Sequence, residues 1–111
     1  NQKQYLLSNL YHEKATRLKV DPMIYSVMAK NYQAMGHYKE AERWLWKSVH
    51  LLPERIYPYY LLTKLYADPG YNKLDKAREM AQIVLTKEPK VHSQAIQEMR
   101  NEVRNFVDLK K

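Results

Sequence analysis

The side chains able to do chemistry in this chain are four histidines, twelve carboxylates and ten tyrosines; cysteine is absent. His12, His37, His50 and His92 show no pair at i and i+4 and no HExxH pattern. Those spacings are what set two imidazoles on one helix face around a metal. The Asp and Glu residues alternate with Lys and Arg, the pattern of a solvated face rather than of an acid/base pair. With only two glycines there is no glycine-rich phosphate loop, and no serine or threonine stands with a base to activate it. The sequence therefore offers no catalytic residue, no metal set and no cofactor site, and the chain is expected not to be an enzyme. What remains is a basic, tyrosine-rich surface of net charge +7. Such a charge disfavours basic partners and favours acidic ones.

A surface needs elements to carry it, and the composition points to helices. The chain has 111 residues, one small domain's worth, and 45% of them are hydrophobic. Ala, Leu, Glu, Lys, Gln and Met predominate, while strand-type alternation is missing. Without Cys, disulfides and thiolate metal sites are excluded and the compartment is left open. No apolar run approaches the roughly 20 residues of a membrane span, so a soluble piece is expected. The chain starts at Asn1 without an initiator Met and reads as a piece of something larger, the alternative being a tag or signal that has been removed.

Apolar spacing predicts a first helix over 1–19, on Leu6, Leu7, Leu10, Tyr11 and Leu18, with Lys14 interrupting the stripe. Asp21-Pro22 reads as an N-cap followed by a first-turn proline. The helix after it carries Tyr25, Met28, Ala29 and Tyr32 inward, and Gly36 supplies the left-handed turn at its end. Its successor presents Ala41, Leu45, Ser48, Val49 and Leu52 on one face until Pro53 stops it. Trp44 borders that face, and Trp46 points about opposite.

The pattern then returns. Tyr57-Pro58 opens a new helix, and Tyr59, Leu62, Thr63 and Tyr66 repeat the earlier spacing. Asp68-Pro69-Gly70 breaks it. Ala77, Ala81, Val84 and Leu85 follow, and Pro89 stands thirty-six residues after Pro53. Two extra residues fall in the second turn, within Tyr71 to Lys76. Ser93 is placed to N-cap a last helix to Leu109, its stripe being Ile96, Met99, Val103 and Phe106. Glu98, Arg100, Glu102 and Arg104 face elsewhere, as expected of a polar-backed capping helix.

These residues resemble tetratricopeptide repeats, whose pattern runs aromatic-x2-Leu-Gly-x2-Tyr, then Ala-x3-Phe, then Pro, over about 34 residues. The first copy reads Tyr25-x2-Met28-Ala29-x2-Tyr32, Ala41-x3-Leu45, Pro53. The second reads Tyr59-x2-Leu62-Thr63-x2-Tyr66, Ala77-x3-Ala81, Pro89. Thr63 and Ala81 depart from it. The resemblance implies an all-α, right-handed helical-repeat solenoid of about six helices. It divides the chain into a leading helix over 1–21, repeat units over 22–55 and 56–91, and a capping helix over 92–111. An unrelated helical bundle is the plain alternative.

A narrower resemblance lies in Leu52 to Tyr66 and in Lys87 to Arg100. Both are similar to segments of bacterial membrane proteins described as O-antigen ligases or polymerases, which carry a tetratricopeptide tail. That likeness implies the tail of an inner-membrane protein of surface polysaccharide assembly, with the glycan-transferring part elsewhere and the side of the membrane not set. A soluble repeat scaffold unrelated to polysaccharide is the alternative.

In a solenoid of this kind the first helix of each unit lines a concave groove. Opposite the core stripe lie Met23, Ser26, Lys30, Gln33 and Ala34, then Tyr57, Tyr60, Lys64, Ala67 and Asp68. Lys30 and Lys64, beside Tyr57 and Tyr60, suit a protein or peptide partner of acidic character. Trp46 is the candidate for a second surface. The tyrosines at repeat positions belong to the core. The net charge of +7 and the many Tyr make an RNA-binding helical repeat the further alternative, but nucleic acid is not expected, because Lys and Arg are spread along the chain with acids between them and never run longer than two.

Overall fold

The structure, a computed structural model, describes Tyr5, Asn9 and residues 22–109. The expected leading helix and the Asp21 cap lie outside the described residues, although Tyr5 and Asn9 are themselves helical. Among the described residues the protein is all-α. Within residues 22–109 lie five helices: α1 (Pro22–Ala34), α2 (Tyr38–Leu51), α3 (Tyr57–Ala67), α4 (Leu74–Thr86) and α5 (Gln94–Leu109). The chain divides into two units, Asn1–Pro53 and Glu54–Lys111.

In the first unit α1 and α2 form an antiparallel hairpin. Gly36 sits at φ 80°, and two backbone bonds close the end of α1 around it. Gly36 N–H donates to the Gln33 carbonyl at 3.0 Å, and His37 N–H to the Tyr32 carbonyl at 2.8 Å. That pair is the Schellman arrangement, which satisfies carbonyls left over at a helix end. Helix α2 opens with Glu40 in its first turn, suited to the helix dipole.

The buried face follows the spacing in part: of the α1 stripe Met28 and Ala29 are buried, while Tyr25 and Tyr32 are half-buried at its edges. Met28, Ala29, Ala41, Leu45, Ser48 and Val49 are almost wholly buried, and Trp44 joins them, its ring 5.5 Å from that of Tyr25. Leu52 does not follow, being 41% exposed. The helix has ended at Leu51, and Leu52, at φ −134° and ψ 78°, turns its side chain off the stripe. Two cations spread over the Trp44 ring: Lys47 Nζ at 4.2 Å and the Arg43 guanidinium at 5.5 Å.

In the second unit Pro58 occupies the first turn of α3, where its missing N–H costs nothing. Thr63, polar where the first unit has Ala29, is buried. Its hydroxyl donates to the Tyr59 carbonyl at 2.9 Å, so no donor is stranded. Asp68 builds the turn to α4. Its carboxylate accepts from Gly70 N–H at 2.9 Å, and its carbonyl from Tyr71 and Asn72 N–H at 2.9 and 2.7 Å. The left-handed residue is Asn72, at φ 54°, and not Gly70. Asn tolerates that conformation better than other side chains.

Helix α5 packs on α4 and touches α3. Ser93 caps it, accepting from Ile96 N–H at 3.3 Å. Ile56, Ala81, Val84 and Val103 form the buried cluster, with Ile96, Met99 and Val107 against it. The bulk that Ala81 lacks is thus supplied by neighbours from other segments.

Arg100 corrects the expectation that the polar back of α5 faces away. It is half-buried, donating from Nε to the Val84 carbonyl at 2.9 Å and from its terminal nitrogen to the Lys87 carbonyl. Those carbonyls lie at the end of α4, where a positive charge is favoured.

Candidate functional site

Helix α3, Tyr57-Pro58-Tyr59-Tyr60-Leu61-Leu62-Thr63-Lys64-Leu65-Tyr66-Ala67, has one charged residue, Lys64, and no acid. Tyr60 and Lys64 are four residues apart and so share a helix face. The Lys64 ammonium lies 5.3 Å from the Tyr60 ring centroid. Tyr57, three residues before Tyr60, stacks on it with ring centroids 6.1 Å apart and planes 28° from parallel. The result is a cation and a phenol hydroxyl side by side, flanked by two aromatic rings.

A carboxylate already sits there. The Tyr60 hydroxyl donates to Glu102 Oε1 at 2.9 Å, and Lys64 Nζ stands 3.7 Å from Glu102 Oε2. Each oxygen of one carboxylate therefore meets one of the two α3 groups. The ion pair is open to solvent, with both side chains a little over half exposed. Burial, and then the bond to Glu102, holds the Tyr60 hydroxyl above its ordinary value of 10.0. Burial pulls Lys64 down, but attraction to Tyr60 and Glu102 outweighs it, and the ammonium stands above 10.5.

The expected groove residues divide between the two units. On α1, Met23, Lys30 and Ala34 are exposed and Gln33 is half-buried. Ser26 is a correction: it is 3% exposed and cannot meet a partner. It stands three residues before the buried Ala29, on that side of the helix. On α3, Lys64 is exposed, and Tyr57, Tyr60 and Ala67 are half-buried. Asp68 serves the turn. Trp46 is half-buried, its ring 6.1 Å from that of His50.

Sequence reasoning missed Glu102. The available signal was its place on α5, three residues after Met99 and four before Phe106, hence at the edge of the apolar stripe. Only the docking of α5 says which neighbour that edge meets. Among the described residues no three His, Asp or Glu side chains gather as a metal site, and no helix is long and apolar enough to cross a membrane. No family model, no curated protein and no solved structure matches the chain.

Proposed function

We propose that the chain is a non-catalytic protein-binding module, built as a short right-handed tetratricopeptide-like repeat, whose ligand is an acidic peptide or partner domain. The repeat reading is supported by the two helix hairpins and by equivalent positions with equivalent burial. Ala41 and Ala77 are both fully buried, as are Met28 and Leu62. The ligand reading rests on one observation: Tyr60 and Lys64 together hold a carboxylate, that of Glu102. Tyr57 adds aromatic contact area at low entropic cost. The matching face of α1, with Met23 and Lys30, is a separate patch of the same kind.

Titration of a fluorescein-labelled oligoglutamate peptide, followed by anisotropy, tests the α3 seat. Lys64→Gln should weaken binding about fivefold, the loss of roughly 1 kcal/mol of charge pairing. Gln is the better probe than Glu, because Lys64→Glu would set a second carboxylate against Glu102. Equal binding by wild type and Lys64→Gln refutes the seat. Lys30→Gln measures the α1 patch separately.

The proposed parent is a bacterial inner-membrane protein of surface polysaccharide assembly, on the likeness of Leu52 to Tyr66 and of Lys87 to Arg100 alone. The coding sequence upstream of Asn1 tests it: several apolar spans support that parent, and further repeats speak for a scaffold.

A further inference from the structure

The carboxylate in the α3 seat belongs to the chain itself. We infer that Glu102 is a built-in competitor, so that an acidic partner binds Tyr60 and Lys64 by displacing it. This rests on the proposed binding of acidic peptide to α3 and adds how that binding is held in check.

Three features carry it. Glu102 uses both its oxygens on the two groups a partner carboxylate would use, at 2.9 and 3.7 Å. A partner therefore cannot take the Tyr60 hydroxyl and the Lys64 ammonium while Glu102 keeps them. The contact is also weak enough to give way, since half-exposed ion pairs contribute little in water. Finally, α5 does not depend on Glu102 for its docking. Val103 is buried in the core cluster, Ile96 and Met99 pack against it, and Arg100 is bonded to the end of α4. Glu102 can swing out by side-chain rotation while the helix stays in place.

The step exchanges the hydrogen bond and ion pair of Glu102 for an equivalent set made by the partner carboxylate. A tethered competitor of this kind lowers apparent affinity by the fraction of time it occupies the site. It also raises specificity, because an isolated carboxylate gains nothing over Glu102. A peptide with several acidic residues, or one that also packs on the Tyr57 ring, does gain.

The test uses the 111-residue chain and the labelled oligoglutamate peptide. Glu102→Gln should tighten binding about fivefold over wild type. Glu98→Gln is the control: it removes the same charge one turn earlier on α5, where Glu98 accepts from Gln94 of its own helix at 3.1 Å. It should change affinity less than about twofold. Circular dichroism confirms that both variants stay folded. If Glu102→Gln binds like wild type while Lys64→Gln is weaker, the competitor is refuted and the seat stands. Equal tightening by both glutamine variants refutes it as well, because net charge then explains the gain. If no variant binds the peptide, the seat and the competitor fall together.

Discussion

Replacing Arg100 by alanine should destabilise the second unit by about 3 kcal/mol. The guanidinium donates to the Val84 and Lys87 carbonyls, both at the end of α4. A charged hydrogen bond contributes roughly 1.5–3 kcal/mol net when shielded, and about 1 where water reaches it, as at this half-buried side chain. Removing the charge from the helix end adds about 0.5 kcal/mol, and losing the packed aliphatic stem a similar amount. Arg100→Lys should recover only about half of the loss, because an ammonium lacks the planar fork that spans two carbonyls. Urea denaturation followed by circular dichroism measures the change. With a slope near 2 kcal/mol per M, the midpoint should fall by about 1.5 M. Both tryptophans lie on α2, so their fluorescence reports the first unit and not the α4–α5 contact. Hydrogen exchange should place the lost protection in the last turn of α4 and along α5. A cost below about 0.5 kcal/mol, or full recovery by Arg100→Lys, would refute the capping role.

Three further outcomes are expected. Gly36→Ala should cost the first unit about 1 kcal/mol and Gly36→Asn less; since no atom lies within 4 Å of an added Cβ, the φ of 80° alone sets the cost, and a neutral Ala variant in thermal melts would contradict it. Stability should also fall at alkaline pH: Tyr60 and Lys64 both keep their protons longer folded than unfolded, so their contribution is whole below 10.0 and drains away as pH climbs through the raised values. In Glu102→Gln the Tyr60 titration, followed by the NMR shift of its ring carbon next to the hydroxyl, should move part of the way back; no movement would mean that burial alone raises it.

Much of the fold could be read along the chain because its determinants are local. Apolar residues at threes and fours marked the faces of α1, α2 and α4, and Gly36, Pro53, Pro58 and Ser93 marked the ends. Each acts on its own backbone or on residues within a turn or two, so sequence distance and spatial distance agree. The face of α3 that bears Tyr60 and Lys64 was legible for the same reason, as residues four apart on one helix.

What sequence could not decide depends on which elements meet. Ser26 and Lys30 lie four residues apart on one helix, yet one is buried and the other exposed, a difference that periodicity alone does not give. Arg100 and Glu102 read alike as polar positions of a capping helix. The docking of α5 sends one to the end of α4 and the other to Tyr60 and Lys64, thirty-eight or more residues away in the chain. No local rule connects residues at that separation. Periodicity determined that this protein would be helices with one apolar face each, and the tertiary packing of α5 decided that its basic seat would hold a carboxylate of its own.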